Sequence, residues 1–269
     1  MPGILVLNSG LVSVGSKYPL YCVVTSEVNE ENKRVLELLG IHVIERPEIP
    51  MPETMRDYNE KHGMMFKGWF KAFSKFHVFG LEEFDKIVYL DSDLLILKNL
   101  DHLFEKPHMS ATVDLDGIMD EEPDFLAEGD RYFRFFNSGL MVIEPKMSLF
   151  EDIMDLVNKI VPDRIYADQN LLAAYFKDWP DHPELKLSTY YNLLAPHIDT
   201  YKTKVPGFDM KQAYVLHFVG TKPFMMDKSR LVKHRDTFTN LCVAYNGIYM
   251  GQIRKMRRIG IIYDEKNLL

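Results

Sequence analysis

Extended and helical segments alternate along this chain, and one short, wholly apolar run ends in a pair of aspartates. Together these two observations predict an α/β domain with a mixed central sheet flanked by helices. A length of 269 residues allows one large domain or two small ones. With 46% hydrophobic and 26% charged residues, the chain has the balance of one that buries a core rather than remaining disordered.

Taken in order, Leu20 to Thr25 is rich in strand formers, Glu27 to Leu39 is charged with apolar residues at helical spacing, and Val43 to Ile44 is extended again. Pro47, Pro50 and Pro52 predict a surface loop over Pro47 to Asn59. Lys67 to Phe79 carries aromatic residues at helical spacing. The run IVYL at 87–90 is apolar on both faces and belongs in the middle of a covered sheet. Three further strands are expected in SATVD at 110–114, GLMVIE at 139–144 and YVLHFVG at 214–220, with helices over 146–160 and 168–177. Residues 230–248 read as one helix, and Arg254, Lys255, Arg257 and Arg258 follow it closely. The division expected is a main domain over 1–229 and a C-terminal helical extension over 230–269.

Several classes are excluded or disfavoured. Thirty-two basic against thirty-nine acidic residues give a net charge of -7, which offers no cationic field to a nucleic acid. Cys22 and Cys242 stand far apart in apolar surroundings, which suggests neither a disulfide framework nor a thiolate metal site and fits a reducing, cytoplasmic setting. No apolar run reaches the ~20 residues of a membrane helix. The start, MPGILVLNSGLVSVGS, has an apolar centre but no basic residue before it, so it is not read as a secretory leader. The basic cluster lies beside Met250, Ile253, Met256, Ile259 and Ile261. Such a segment either docks on an anionic membrane surface or a partner, or covers its own domain.

Asp91 and Asp93, two apart in extended chain, send their carboxylates to one side while Ser92 points away, an arrangement suited to a hard divalent cation. They lie at the carboxyl end of a strand, where open α/β sheets bind ligands. An Asp-x-Asp is also a common turn or helix cap. Four further pieces supply context: FNSG at 136–139, DQN at 168–170, HFVG at 217–220 and KPF at 222–224.

In this order and spacing, with IVYLDSDLLILKNLDHLF at 87–104, the chain resembles glycosyltransferase family 8, in particular its glycogenin and galactinol synthase branches, from near residue 4 to about residue 226. The resemblance implies a GT-A fold, a UDP-sugar donor (UDP-glucose or UDP-galactose), retention of anomeric configuration, and Mn²⁺ with Mg²⁺ as second choice. The acceptor would be a hydroxyl of a sugar, a polyol or a protein, and a homodimer is left open. Asp91, Asp93 and His217 match the family's metal ligands, a donor set that suits Mn²⁺. Lys75, Ser92, Asp114, Asn137, Ser138, Gly220 and Lys222 match donor-binding positions. Asp168 and Gln169 match the Asp-Gln pair beside the reacting carbon, and no nucleophile is assigned.

Two departures accompany the likeness. On this resemblance the family's first strand, of type Ala-Tyr-Val-Thr, is expected to be missing from the sequence given, since Met1-Pro2-Gly3-Ile4 resembles the start of the first helix. The acidic residue that glycogenin places three before the Asp-Gln aspartate is Ile165 here, with Asp163 nearby. YYNLL at 190–194 resembles the segment before glycogenin's modified loop, and Tyr201 is the nearest downstream tyrosine. Two other readings are carried forward: a catalytically weak sugar-nucleotide-binding protein, and a haloacid-dehalogenase-like phosphatase with Asp91 as nucleophile. The second lacks the usual Thr or Val at Leu95.

Overall fold

The computed structural model describes residues 1–63, 67–114, 135–162, 167–220, 222–226 and 236–261. Helix α1 (Pro2–Ser13) opens the chain, followed by β1 (Tyr21–Val24), α2 (Glu30–Leu38) and β2 (His42–Glu45). Asn29 caps α2 by accepting the Asn32 N–H at 2.8 Å, and Glu30 and Glu31 suit its positive end. β1 and β2 run parallel, as the strand–helix–strand order requires.

The proline-rich segment is loop only as far as Pro52. Helix α3 (Glu53–Lys61) follows at once, so the loop expected to reach Asn59 is too long. Proline breaks a helix from within, whereas here all three prolines precede the first turn. The loop is pinned where the Pro47 carbonyl meets His77 Nε2 at 2.8 Å and Ser74 Oγ accepts the Ile49 N–H at 3.0 Å. Lys67–Gly80 forms a 3₁₀ helix, whose three-residue turn stacks Phe73, Phe76 and Phe79 on one buried line.

Two sheets then meet. β3 (Ile87–Leu90) pairs antiparallel with β6 (Phe136–Ile143), which pairs antiparallel with β5 (Ala111–Val113); β5 in turn runs parallel to β7 (Lys186–Leu187). β4 (Leu94–Ile96) pairs antiparallel with β9 (Val215–His217), which runs parallel to β8 (Leu193–Leu194). The fold is therefore the expected mixed α/β architecture, with α4 (Met147–Lys159), α5 (Asp168–Tyr175) and α6 (Ile198–Lys204) outside the strands.

Among the described residues β3 lies at the end of its sheet, with β6 alone beside it, and all four of its residues are partly exposed. The expectation of a central strand fails for a physical reason. An apolar run reports that both faces are covered, and they are: Val88 and Leu90 pack against one apolar cluster, Ile87 and Tyr89 against another. Lateral position in a sheet leaves no such mark. β6 holds an interior position, with all eight residues buried.

The C-terminal helix α7 (Thr237–Arg258) begins at Asp236, whose carboxylate accepts the Thr239 N–H at 2.7 Å. Cys242, Tyr245, Tyr249, Ile253 and Met256 form its buried stripe and join the cluster around Leu5, Val6, Leu216 and Phe218. Arg254, Lys255 and Arg258 lie on the exposed side. No helix among the described residues is long and apolar enough to cross a membrane.

Two outcomes follow from this packing. Ile253 is 1% exposed, so Ile253→Ala should cost about 3 kcal/mol in denaturant unfolding, and a loss below ~1 kcal/mol would show that α7 adds little to the core. Tyr201 is 2% exposed, and burial pushes its hydroxyl from 10.0 up to about 12. A pKa raised in the folded state gives stability that is complete below pH 10.0 and lost as pH climbs toward about 12. Tyr201→Phe should therefore flatten the alkaline limb of a stability–pH curve, and an unaltered limb would refute the assignment.

Candidate functional site

The site forms where the two sheets touch. Asp91, Ser92 and Asp93 link β3 to β4 as a turn rather than as the extended chain expected from their spacing. Each end of the turn is tied to a different sheet: Asp91 N donates to Gly139 O of β6 at 2.8 Å, and Phe218 N, just after β9, donates to Asp93 O at 3.1 Å. The β4–β9 register sets Leu94 opposite His217, which brings the imidazole beside both aspartates.

His217 Nε2 lies 3.3 Å from Asp93 Oδ1 and 3.8 Å from Asp91 Oδ2. One ligand atom from each of these three residues fits within 4.8 Å of the others, close enough for all three to share one cation. Lys222 Nζ donates to Asp93 Oδ2 and, at 3.2 Å, to Phe218 O. Burial opposes ionisation of Asp93, but His217 and Lys222 outweigh it and hold the carboxyl far below its ordinary range. Ser92 is exposed, and its backbone carbonyl lies against Gly3 of α1, where a Cβ would come within 2.2 Å. Gly220, with φ at +70°, makes the turn between His217 and Lys222.

A continuous line of hydrogen bonds extends from this triad across β6. Asn137 Nδ2 donates to Asp114 Oδ1 at 2.9 Å, and Gln169 Nε2 donates to Asp114 Oδ2 at 3.0 Å. Gln169 Oε1 accepts the Ser138 N–H at 3.0 Å, and Ser138 Oγ donates to Asp168 Oδ2 at 3.2 Å. Asn137, Ser138 and Gly139 lie inside β6, so FNSG does not precede the strand as expected but forms its first half. The Asn-Ser-Gly string resembles a turn, yet here the polar groups are satisfied by neighbouring side chains and the glycine makes room. A Cβ on Gly139 would meet the His217 ring at 2.3 Å.

Lys75 closes the arrangement from the 3₁₀ helix. Its ammonium stands 2.5 Å from Asp168 Oδ2 and 3.3 Å from Asp91 Oδ1, with Ser138 Oγ at 3.2 Å. Burial works against the charge, but Asp168 and Asp91 prevail and raise its pKa well above the ordinary lysine value. Lys75, Asp91, Asp93, Asp114, Asn137, Ser138, Asp168, Gln169, His217 and Lys222 are thus joined by hydrogen bonds and ion pairs, while Ser92 and Gly220 adjoin them along the chain. Asp163 and Ile165 lie outside the described residues.

Two residues were missed. Tyr89 donates its hydroxyl to Asp91 Oδ1 at 2.6 Å, a contact that the two-residue spacing along one strand face could have suggested. Asn192, 2% exposed, bonds both Asn137 and His217; its signal was an amide set between strand-forming residues, where burial demands partners. Tyr201, the nearest tyrosine to the glycogenin-like segment, is buried with its hydroxyl accepting the Leu194 N–H at 3.4 Å, so it is not presented as an acceptor.

The comparisons with known proteins agree with one another. The chain is 33% identical over 216 residues to a putative UDP-glucuronate:xylan alpha-glucuronosyltransferase 3 from Arabidopsis thaliana, a match covering 78% of this chain and 30% of that protein. It is 26% identical to galactinol synthase 2 from the same plant, across 95% of this chain and 82% of the relative. Among solved structures, the galactosyltransferase LgtC superposes with a TM-score of 0.59 at 16% identity, over 93% of this chain and 91% of LgtC. The glycosyltransferase GlyE of Streptococcus pneumoniae TIGR4 gives 0.57 at 17% identity, over 97% and 61%. These likenesses establish the GT-A fold. Residues 1–226 match the model of a single family, and on that extent the chain belongs to glycosyl transferase family 8.

Proposed function

We propose that the chain transfers a hexose from a UDP-sugar to a hydroxyl acceptor, with retention of configuration and with a divalent cation, Mn²⁺ before Mg²⁺, held by Asp91, Asp93 and His217. The observation that carries this reading is the junction itself: a cation-sized cluster of two carboxylates and one imidazole joined through Asn192 and Lys75 to a row of polar side chains. Hard oxygen and imidazole nitrogen donors suit Mn²⁺, and among the described residues the cluster contains no thiolate to favour a softer metal. When bound, such an ion would neutralise the diphosphate and stabilise charge on the departing UDP.

The chain's own residues would do the rest. Lys222 and Lys75 flank the aspartates with fixed positive charge, and Lys75 keeps its proton because two carboxylates surround it. Asp114, Asn137 and Asp168 offer acceptors and donors to sugar hydroxyls from a rigid sheet and a helix start. Gln169 is held at both ends of its amide, so its carbonyl oxygen keeps one direction while the sugar is positioned. Asp168 is tied through Oδ2 to Lys75 and Ser138, which supports a positioning role.

The sugar-nucleotide-binding alternative differs in turnover alone. UDP-sugars screened with Mn²⁺ should yield hydrolysis or transfer that chelator abolishes; donor binding without turnover would favour the binding protein. Asp91→Asn combined with Asp93→Asn should abolish both Mn²⁺ affinity and turnover, and full retention of either would sink the metal assignment. Gly139→Ala offers an independent check, since the new methyl displaces the His217 ring. It should weaken Mn²⁺ binding by at least about tenfold while circular dichroism stays native. An unchanged affinity would remove His217 from the ligand set.

A further inference from the structure

We propose that Asn192 is a positioning residue that holds a hydrogen on Nδ1 of His217, so that Nε2 is the nitrogen left to bind a cation shared with Asp91 and Asp93, and that the amide orientation doing this is set from the donor-sugar side of the site. The inference rests on the metal reading above only for its purpose; the hydrogen on Nδ1 follows from hydrogen bonding alone.

The argument starts at a group that cannot turn. Gly139 N is a backbone donor, and it points at Asn137 Oδ1 at 3.0 Å, which makes that atom the amide oxygen. The opposite end of Asn137 faces Asp114 Oδ1 at 2.9 Å, as a donating nitrogen must. Asn137 Oδ1 therefore accepts, and the Asn192 atom 2.8 Å from it must be the nitrogen. That leaves Asn192 Oδ1 against His217 Nδ1 at 3.0 Å. A carbonyl oxygen cannot donate, so Nδ1 carries the hydrogen.

The consequence is chemical. A free neutral imidazole side chain favours its proton on Nε2, the very nitrogen that faces the two aspartates. Asn192 holds the hydrogen on Nδ1 instead, so that in the neutral ring the lone pair lies on Nε2, where a cation would sit. Asn192 is 2% exposed and His217 is 4% exposed, so water does not compete for either partner. The setting passes through Asn137, which also belongs to the donor-sugar row, so the metal ligand and the sugar contacts share one polarised chain.

The test uses the metal-free protein first. Long-range ¹⁵N–¹H correlation spectra of His217 in the neutral ring should show Nδ1 protonated in the wild type. Asn192→Leu should shift the ring toward Nε2–H and weaken Mn²⁺ binding, followed by electron paramagnetic resonance, about 10- to 100-fold. Because a buried leucine could unfold the chain, Asn192→Asp decides independently. Its carboxylate still accepts from Nδ1–H but cannot donate to Asn137, so the protonation pattern and Mn²⁺ affinity should persist while KM for the UDP-sugar rises. A wild-type ring protonated on Nε2, an unchanged pattern in Asn192→Leu, or loss of the pattern in Asn192→Asp would each overturn the proposal. Failure of the wild type to bind Mn²⁺ would instead overturn the metal reading, with the spectra still judging Asn192.

Discussion

The constraint on which the molecule depends is the three-residue link between β3 and β4. Because those strands pair with β6 and β9 in different sheets, Asp91 to Asp93 must lie where the two sheets come together. Everything else at the site follows from that crossing. β6 brings Asn137 and Ser138 to one side of the link, β9 brings His217 to the other, and α5 rests on β6 with Asp168 and Gln169 at its first turn. Close approach is then the governing problem, and it is solved by small residues. Gly139 makes room for the imidazole, and Gly3 and Gly10 let α1 lie directly against Ser92 and Ile96.

Four carboxylates gathered in a partly covered space would repel one another without compensation. Lys75 and Lys222 supply it unequally: Lys75 is the more buried and serves two aspartates, whereas Lys222 is a third exposed and serves one. A buried ion pair of this kind costs desolvation that its own attraction barely repays, so its value lies in fixing geometry more than in stability. The neutral amides between the charges extend the same logic, since each has both ends engaged and no freedom to rotate. Tyr89 secures Asp91, and Tyr245 of α7, whose hydroxyl titrates well above its ordinary range through burial and the nearby charge of Asp93, brings the C-terminal helix beneath the site.

Much of this was legible because local chemistry left a mark in the sequence. The apolar run before Asp91, the alternation of strand and helix, and the order of the five motifs carried the fold class and named most of the residues that the candidate site brings together. What escaped was set by tertiary context. The lateral position of β3 depends on a neighbour, not on its own residues; the helix after Pro52 needed the prolines to be seen as a beginning; and FNSG reads as a turn until the partners of its polar groups are known. Asn192 was hidden for the same reason. A single amide in a tyrosine- and leucine-rich segment announces burial but not which two residues, far away in the chain, will take its hydrogen bonds.

The separation of these partners along the chain also bears on how the protein is made. Lys75, Asp91, Asn137, Asp168, Asn192 and His217 come from successive stretches of the polypeptide, and none of their mutual contacts except those between adjacent motifs can close early. Pairings between distant segments lose loop entropy before they return any energy, so they form late and slowly. During synthesis the ribosome releases β3, with its aspartates, long before β9 exists to supply the histidine. A nascent or stalled chain would accordingly hold acidic residues without their imidazole, and the complete cluster would become a marker of the finished fold rather than a nucleus for it.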